Sequence, residues 1–136
     1  MEKFLGTWNF VESTNFDNYL QGLGIAYPLR KLASLTSPTV TIKQETTDGL
    51  YSVTTDAKIR SVTTAFQLGK VVDERTVDLR LLRSTFSLDK DNCLVLTSTD
   101  RYGVTSIDTR CVMGNLMQVA MEVKGVTASA KFKKKT

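Results

Sequence analysis

Residues 4–24 read FLGTWNFVESTNFDNYLQGLG, an apolar segment that carries a glycine and a tryptophan and continues into a short amphipathic helix. Asn15 or Asp17 can cap this helix, because their side-chain oxygens accept hydrogen bonds from the free N–H groups of a first helical turn. Gly24 stands where a left-handed residue usually ends a helix. The apolar side of the predicted helix comprises Phe16, Tyr19, Leu20 and Leu23. This opening therefore predicts a strand near residues 5–13 followed directly by a helix.

A second short helix is predicted over residues 29–35. Pro28 suits its start, where a missing N–H costs nothing, and Pro38 prevents the helix from continuing. The side that we expect to be buried comprises Leu29, Leu32, Ala33 and Leu35.

From residue 39 onward the sequence changes to short Thr- and Val-rich runs of alternating polarity, which indicates antiparallel strands. The joints are short and rich in Gly, Asn and Asp, so strands that are neighbours in sequence should pair in an up-and-down sheet. We expect ten strands closed into a barrel, because closure removes exposed edges, and a barrel of this size encloses a volume that side chains cannot fill. The predicted strands after the first lie near residues 39–46, 49–56, 59–67, 70–75, 79–88, 93–100, 104–113, 115–123 and 126–134.

Length and composition predict one domain that spans residues 1–136. A hydrophobic content of 41% with 24% charged residues is ordinary for a soluble globular protein. No apolar run approaches the roughly 18 residues that a membrane-spanning helix needs. The N-terminus shows no apolar segment followed by a cleavage site, so the protein is expected in the cytoplasm.

Missing residue types exclude several kinds of site. The chain has no histidine, which removes the commonest general base and the commonest metal ligand. It also has no phosphate loop or nucleophile motif, so we predict neither an enzyme nor a cofactor or metal site. Cys93 and Cys111 could pair, but in a chain without a secretory leader we expect both thiols to be reduced.

The net charge of +4 arises near the C-terminus. Four of the basic residues are Lys131, Lys133, Lys134 and Lys135, and the rest of the chain is balanced. This distribution does not favour a nucleic-acid partner, which usually requires a basic face on the fold itself. The tail lysines have two interpretations, a solvated terminal strand or a patch for transient contact with anionic membranes.

Two motifs resemble a known family. The first is Gly6-x-Trp8-x-Phe10 followed by Asn15-Phe16-Asp17-x-Tyr19, and the second is Phe66-Gln67-Leu68-Gly69 followed by Asp73-Glu74-x-Thr76-x-Asp78-x-Arg80. Together they resemble the intracellular lipid-binding proteins, which comprise fatty-acid-binding proteins and cellular retinoid-binding proteins. The resemblance runs from residue 4 to about residue 134, essentially the whole chain.

The resemblance implies a ten-stranded barrel capped by a helix-turn-helix lid, with a hydrophobic ligand that enters between the helices and nearby turns. It implies a monomer that carries its ligand and does no chemistry on it. Carried over position by position, the implied wall and portal residues are Phe16, Tyr19, Leu20, Ile25, Leu29, Ala33, Pro38, Thr55, Ile59, Asp78 and Arg80.

The head-group site is where the chain departs from the family. A carboxylate buried in a cavity must be compensated, and arginine offers a permanent charge with a planar fork of donors. The resemblance implies one arginine on the eighth strand, which Arg110 matches, and an Arg-x-Tyr pair on the last strand. Those last positions read Ala130-Lys131-Phe132, so the pair is absent and Phe132 is the inward residue. A slip of one residue near Gly114 would instead turn Arg110 outward, and this alternative stays open.

Two further polar residues are assigned to the same region. Asp108 lies two residues before Arg110 and shares its face, so the two could pair. A neutral buried pair would require that a ligand carboxylate displace Asp108 or bring an uncompensated charge. A solvated Asp108 without a role is the alternative. Gln118 is predicted to point inward by the same count.

The leading hypothesis is a carrier of one long-chain fatty acid, anchored by Arg110 directly or through water. A retinoid or other neutral lipid is the second, favoured by Asp108, Ala130 and Phe132. The third is a membrane-interacting structural protein that uses the basic C-terminal strand and the basic residues 30–31 of the lid.

Overall fold

Ten strands and two helices make up the fold in the computed structural model, which covers residues 1–136. The chain begins with a single 3₁₀ turn at Glu2–Phe4. The helices are α1 (Phe16–Gly22) and α2 (Tyr27–Ser34). The strands are β1 (Gly6–Thr14), β2 (Thr39–Gln44), β3 (Tyr51–Asp56), β4 (Ser61–Phe66), β5 (Val71–Arg75), β6 (Leu81–Leu88), β7 (Leu94–Thr99), β8 (Thr105–Met113), β9 (Leu116–Val123) and β10 (Val126–Lys134).

The strands form one antiparallel sheet that curls into a nearly closed barrel. The spatial order is β4-β3-β2-β1-β10-β9-β8-β7-β6-β5, so every pair of sequence neighbours is hydrogen-bonded except β4 with β5. The first and last strands pair with each other, which joins the two halves of the meander. The all-β barrel with a helical cap predicted from the sequence is confirmed, and each strand bound agrees with its prediction to within two residues.

A register shift in β1 changes which residues face inward. The pairing of β1 with β10 shifts between Phe10 and Glu12. Because the extra residue interrupts the twofold alternation of the strand, Phe10 and Ser13 both line the interior although they are three positions apart. Glu12 faces outward, where its carboxylate accepts a 3.4 Å ion pair from Lys131.

Helix α1 is tied to the barrel at its first residue. Asn15 is the N-cap, with a left-handed φ of 62°, but its side chain does not cap the helix. Its amide nitrogen instead donates to the carbonyl of Thr127 at 2.7 Å. Gly24, with φ +88°, follows the C-cap residue, as predicted. The prediction that an Asn15 or Asp17 side chain caps this helix is therefore wrong, because the Asn15 side-chain oxygen accepts a hydrogen bond from the Asn18 side chain instead of a backbone N–H.

Helix α2 is more exposed than its sequence pattern indicates. It begins at Tyr27 and ends at Ser34, with Pro28 in its first turn, and none of its residues is buried. Leu29, Leu32 and Ala33 face the interior cavity, but Leu35 is 75% exposed. The predicted buried side was wrong because α2 covers a cavity rather than a packed core.

The packed core lies among the inner faces of the strands. Trp8 is fully buried, and its indole N–H donates to the carbonyl of Phe4 at 2.9 Å. Phe66 and Phe86 stack with ring centroids 3.9 Å apart. The other fully buried large side chains are Phe4, Ile42, Leu94, Met117 and Val123. The interior not filled by these side chains is the cavity described below.

A disulfide joins Cys93 to Cys111, with Cα atoms 4.6 Å apart. The pairing of β7 with β8 sets Leu94 opposite Arg110, so the two cysteines are direct neighbours across adjacent strands. The prediction of two reduced thiols is wrong. Their proximity depends on the hairpin register, which their sequence separation of 18 does not reveal.

Reduction of this disulfide should destabilise the protein. In the chain-entropy account a cross-link that closes a loop of this size contributes about 3 kcal/mol, because it restricts the unfolded chain. We therefore expect urea unfolding midpoints to fall when dithiothreitol is added. The double variant Cys93→Ala/Cys111→Ala should show no response to the reductant. Two titratable thiols in the native, unreduced protein would contradict the pairing.

Candidate functional site

An internal cavity of about 690 Å³ lies beneath the two helices. Its volume falls within the roughly 300–1,000 Å³ typical of small-molecule pockets. Helices α1 and α2, the turn before β6 and the inner faces of several strands form its wall. Most of the wall is apolar, and the charged residues on it include Arg80, Asp108 and Arg110.

The structure brings most of the sequence-predicted site residues to this wall. That they contact a ligand stays a prediction. The predicted residues that line the cavity are Phe16, Leu20, Ile25, Leu29, Ala33, Pro38, Thr55, Ile59, Asp78, Arg80, Asp108, Arg110 and Phe132. Tyr19 lies just behind the wall, where it is buried and its hydroxyl reaches Asp108.

Gln118 does not belong to the site. The β8–β9 hairpin pairs Met113 with Leu116, which places Val119 opposite Arg110. Since successive side chains alternate across a sheet, Gln118 points outward and is exposed. The inward prediction for Gln118 is wrong by one position. Arg110 itself faces inward, so the slipped register is also wrong.

Several wall residues were missed by the sequence reasoning. Val119 and Met121 lie opposite Arg110 and Asp108 on β9, and Phe10 lies on β1 before the register shift. Cross-strand pairing counted from the Met113–Leu116 turn would have found the first two. Glu74 lies on the inner face of the barrel but not on the cavity wall, and it was also missed, although it alternates with exposed residues on β5 as Val72 does.

Arg110 presents buried donors that nothing in the chain satisfies. Its Nε and Nη1 atoms are buried and have no hydrogen-bond partner. The ladder surrounds it with Leu94 on β7 and Val119 on β9, and Val119 in turn pairs with Ala130 on β10. A buried charged group whose donors lack hydrogen-bond partners is costly. The geometry therefore favours an anionic or acceptor group at this point of the cavity.

Asp108 is bonded to the lid and not to Arg110. Its Oδ1 accepts a 2.9 Å hydrogen bond from the Tyr19 hydroxyl of α1. No nitrogen of Arg110 lies within 4.0 Å of its carboxylate, so the ion pair that the sequence suggested does not form. Asp108 is not a freely solvated side chain either, because it is only partly exposed and its carboxylate is bonded to Tyr19. Burial raises the pKa of Asp108, opposed by the charge of Arg110 and by the Tyr19 bond. Burial likewise raises the pKa of the Tyr19 phenol, and the Asp108 charge adds to the effect.

The other arginines on the wall already have partners. Arg80 forms a 2.7 Å ion pair with Asp78. Arg30 donates to Asp17 at 3.1 Å and to the Ile25 carbonyl at 2.7 Å. Arg60 donates to the Val77 carbonyl at 2.6 Å. Of these four wall arginines, Arg110 alone forms no hydrogen bond or ion pair with the protein, and its Nε and Nη1 are buried.

A second carboxylate lies inside the barrel near Arg110. Glu74 accepts a 3.3 Å hydrogen bond from Ser84, which is also bonded to Ser98 at 2.8 Å. Burial raises the pKa of Glu74, and the positive charge of Arg110 opposes this. The interior therefore holds two carboxylates, those of Glu74 and Asp108, around one unpaired guanidinium.

Comparison with known proteins agrees with this geometry. The fatty-acid-binding protein of Clonorchis sinensis is 32% identical over 134 residues, which cover 98% of this chain and 99% of that protein. The fatty-acid-binding protein of Schistosoma japonicum is 31% identical over 135 residues, with 98% and 99% covered. The chain belongs to the intracellular lipid-binding protein family. A scan against protein-family models finds no match.

Solved structures of this lipid-binding family share the whole fold. Fatty-acid-binding protein 1 of Echinococcus granulosus superposes with a TM-score of 0.94 at 25% identity, and all of both chains is covered. The Schistosoma mansoni fatty-acid-binding protein, solved in complex with arachidonic acid, gives a TM-score of 0.93 at 29% identity, with 100% and 98% covered. The family resemblance that the two sequence motifs indicate is therefore confirmed.

Asp108→Asn should change how stability depends on pH. Because burial raises the pKa of Asp108 above its unfolded value, the folded protein holds a proton on Asp108 over a pH range in which the unfolded chain has lost it. The contribution of Asp108 to the free energy of unfolding therefore falls as the pH rises through that range. Asparagine can keep the Tyr19 bond without the charge. The stability of the variant relative to the native protein should therefore increase with pH, at up to about 1.4 kcal/mol per unit. Urea unfolding from acidic to mildly alkaline pH tests this, and a difference that does not vary with pH would contradict it.

Proposed function

We propose that this protein is a cytoplasmic, monomeric carrier that binds one long-chain fatty acid in the cavity and does no chemistry on it. The acyl chain lies along the apolar wall and the carboxylate meets Arg110. The observation that carries the proposal is the pair of buried, unpartnered donors on Arg110. Relatives named as fatty-acid-binding proteins, and a structural neighbour solved with arachidonic acid, support the ligand class.

Arg110 suits a carboxylate for electrostatic reasons. A guanidinium stays charged in any protein environment and presents parallel donors that match two carboxylate oxygens. In a low-dielectric cavity this interaction is much stronger than in water. Since the three neighbouring arginines of the wall are engaged with Asp78, Asp17 and the Val77 carbonyl, a carboxylate gains most at Arg110.

The last strand carries neither the second arginine nor the tyrosine that the family resemblance implies beside Arg110. Ala130 and Phe132 face the cavity, and Lys131 between them points outward to Glu12. The head group is therefore held from the β8 side, and the space above Ala130 admits the first carbons of the chain. This arrangement supports anchoring by a single arginine, with water able to bridge where the fit is loose.

Replacing Arg110 should weaken fatty-acid binding strongly. Loss of one partner of a desolvated charge pair costs about 2–5 kcal/mol, so Arg110→Ala should reduce affinity in fluorescent fatty-acid displacement by at least tenfold. The matched control is Arg83→Ala, which removes an arginine from the exposed side of β6. A fatty-acid methyl ester is the second probe. It should bind the native protein more weakly than the free fatty acid does, and Arg110→Ala should weaken its binding little further.

Two results would contradict this assignment. Unchanged fatty-acid affinity in folded Arg110→Ala would remove the anchor. A neutral lipid or retinoid found in stoichiometric amount by mass spectrometry of the purified protein would replace the fatty acid by the alternative ligand class.

We further propose that α2 makes transient contact with anionic membranes. Tyr27 and Leu32 of α2 and Leu35, which follows its last residue, are exposed, and Lys31 lies among them. Apolar side chains next to a cation suit insertion at a negatively charged bilayer surface. None of the helices is long and apolar enough to cross a bilayer.

Membrane contact is testable by liposome co-sedimentation. Binding should require anionic lipid, weaken at high salt, and fall several-fold in Lys31→Glu/Leu35→Ser. Met113→Ser is the control for the loss of an exposed apolar side chain, because Met113 is at least as exposed as Leu35 but lies on the β8–β9 hairpin. Binding that is indifferent to anionic lipid, or equal loss in the control, would contradict the proposal.

A further inference from the structure

Asp108 and Arg110 both open onto the cavity, but neither satisfies the other. They occupy alternate positions of β8, so their Cα atoms are separated by two residues, or roughly 6.6–6.8 Å, along the strand. The Arg110 donors Nε and Nη1 are unpartnered. The Asp108 carboxylate accepts only the Tyr19 bond, which engages one of its two oxygens. The pair therefore offers free donors beside a free acceptor.

An ionised ligand at Arg110 would create an electrostatic conflict with Asp108. The groups that face Asp108 are the Tyr19 hydroxyl from α1, Arg110 on its own strand, Arg80 from the turn before β6, and Glu74 from β5. Arg80 is neutralised by Asp78. The remaining charges are one positive on Arg110 and one negative each on Asp108 and Glu74. The ligand carboxylate would add a further negative charge to a buried region that is already negative, which is costly.

We propose that Asp108 is a second head-group residue, which holds the fatty acid through one shared proton. This inference rests on the proposed function. The ligand carboxylate accepts from Arg110 with one oxygen, and a proton taken up from solvent lies between its other oxygen and the free oxygen of Asp108. No bond other than hydrogen bonds forms or breaks, and one proton enters the protein with each ligand.

The geometry around the two side chains suits this arrangement. Tyr19 already occupies Oδ1 of Asp108, so the free oxygen is left for the ligand. A carboxyl group that lies between the two side chains fills the gap that keeps them from forming an ion pair. Two carboxyl groups that share a site cannot both remain ionised at little cost, so one proton is retained between them.

The arrangement also defines the head groups that the cavity accepts. A suitable head group offers an acceptor to Arg110 and a donor to Asp108. A carboxylic acid meets both requirements only with its proton. A primary fatty amide meets them as it is, because its carbonyl accepts and its NH₂ donates. The amide is therefore a neutral probe that should bind without any proton.

Calorimetric titration in buffers of different ionisation enthalpy measures the proton directly. Dodecanoic acid is titrated in steps from about pH 7 to about pH 9, because the free ligand, with a pKa near 4, is ionised throughout, whereas Asp108, whose pKa burial raises, must first lose its own proton in the ligand-free protein. Once Asp108 of the ligand-free protein is ionised, we expect uptake of close to one proton per ligand and an affinity that rises about tenfold for each unit by which pH is lowered. Dodecanamide should bind with no uptake.

Two variants assign the proton to its residue. Asp108→Asn should bind the acid with uptake near zero and with a flat pH profile, while Glu74→Gln, which alters the other interior carboxyl, should leave uptake unchanged. If Asp108→Asn does not fold, the contrast between acid and amide in the native protein still decides.

Three outcomes overturn the inference. Absence of proton uptake with Arg110-dependent binding would refute the shared proton and leave the proposed function intact. If proton uptake is lost in Glu74→Gln and kept in Asp108→Asn, the proton is held by Glu74 and the role proposed for Asp108 is refuted. Failure of the native protein to bind any fatty acid would refute both the inference and the proposed function.

Discussion

A buried guanidinium without a partner is the constraint around which the interior is organised. Arg110 lies on the inner face of β8, and two of its donors reach neither protein oxygen nor solvent. Leaving such a group unpaired lowers the stability of the fold, and a bound acceptor recovers that loss. In the proposed function, this unsatisfied arginine is what favours binding of an acceptor group.

The lid is connected to this site through one hydrogen bond. Tyr19 lies on α1 and donates to Asp108 on β8, two residues from Arg110. Asn15 ties the start of the same helix to β10 at the Thr127 carbonyl. Helix α1 is therefore attached to the barrel at the Thr127 carbonyl and at Asp108 in the interior, whereas α2 has no buried residue. This contrast makes α2 the less firmly held part of the lid.

Much of the fold could be predicted because it depends on local chemistry. Turns such as Asp48-Gly49 and Gly114-Asn115 mark hairpins, and the alternation between them identifies strands. Arg110 and Phe132 were placed inward by the family resemblance and Asp108 by alternation from Arg110, and all three line the cavity. Such features need only the neighbouring residues, so one sequence suffices to find them.

The features that were missed depend on contacts between distant segments. Gln118 was misplaced because its facing depends on the exact hairpin register. The Cys93–Cys111 bond requires knowing which residues of β7 and β8 are opposite each other. Asp108 could have paired with Arg110 or been solvated, but a tyrosine 89 residues away in sequence donates to its oxygen instead. The pattern of polar and apolar residues along one strand does not specify which residue of another segment will lie opposite it or bond to it.

The most direct test of the account is a crystal structure with a bound long-chain fatty acid. The account predicts a ligand carboxyl oxygen about 2.7–2.9 Å from the free donors of Arg110, with the acyl chain running toward α2. A carboxyl group bound at Arg80 or at the mouth between the helices, with Arg110 still unpartnered, would contradict it.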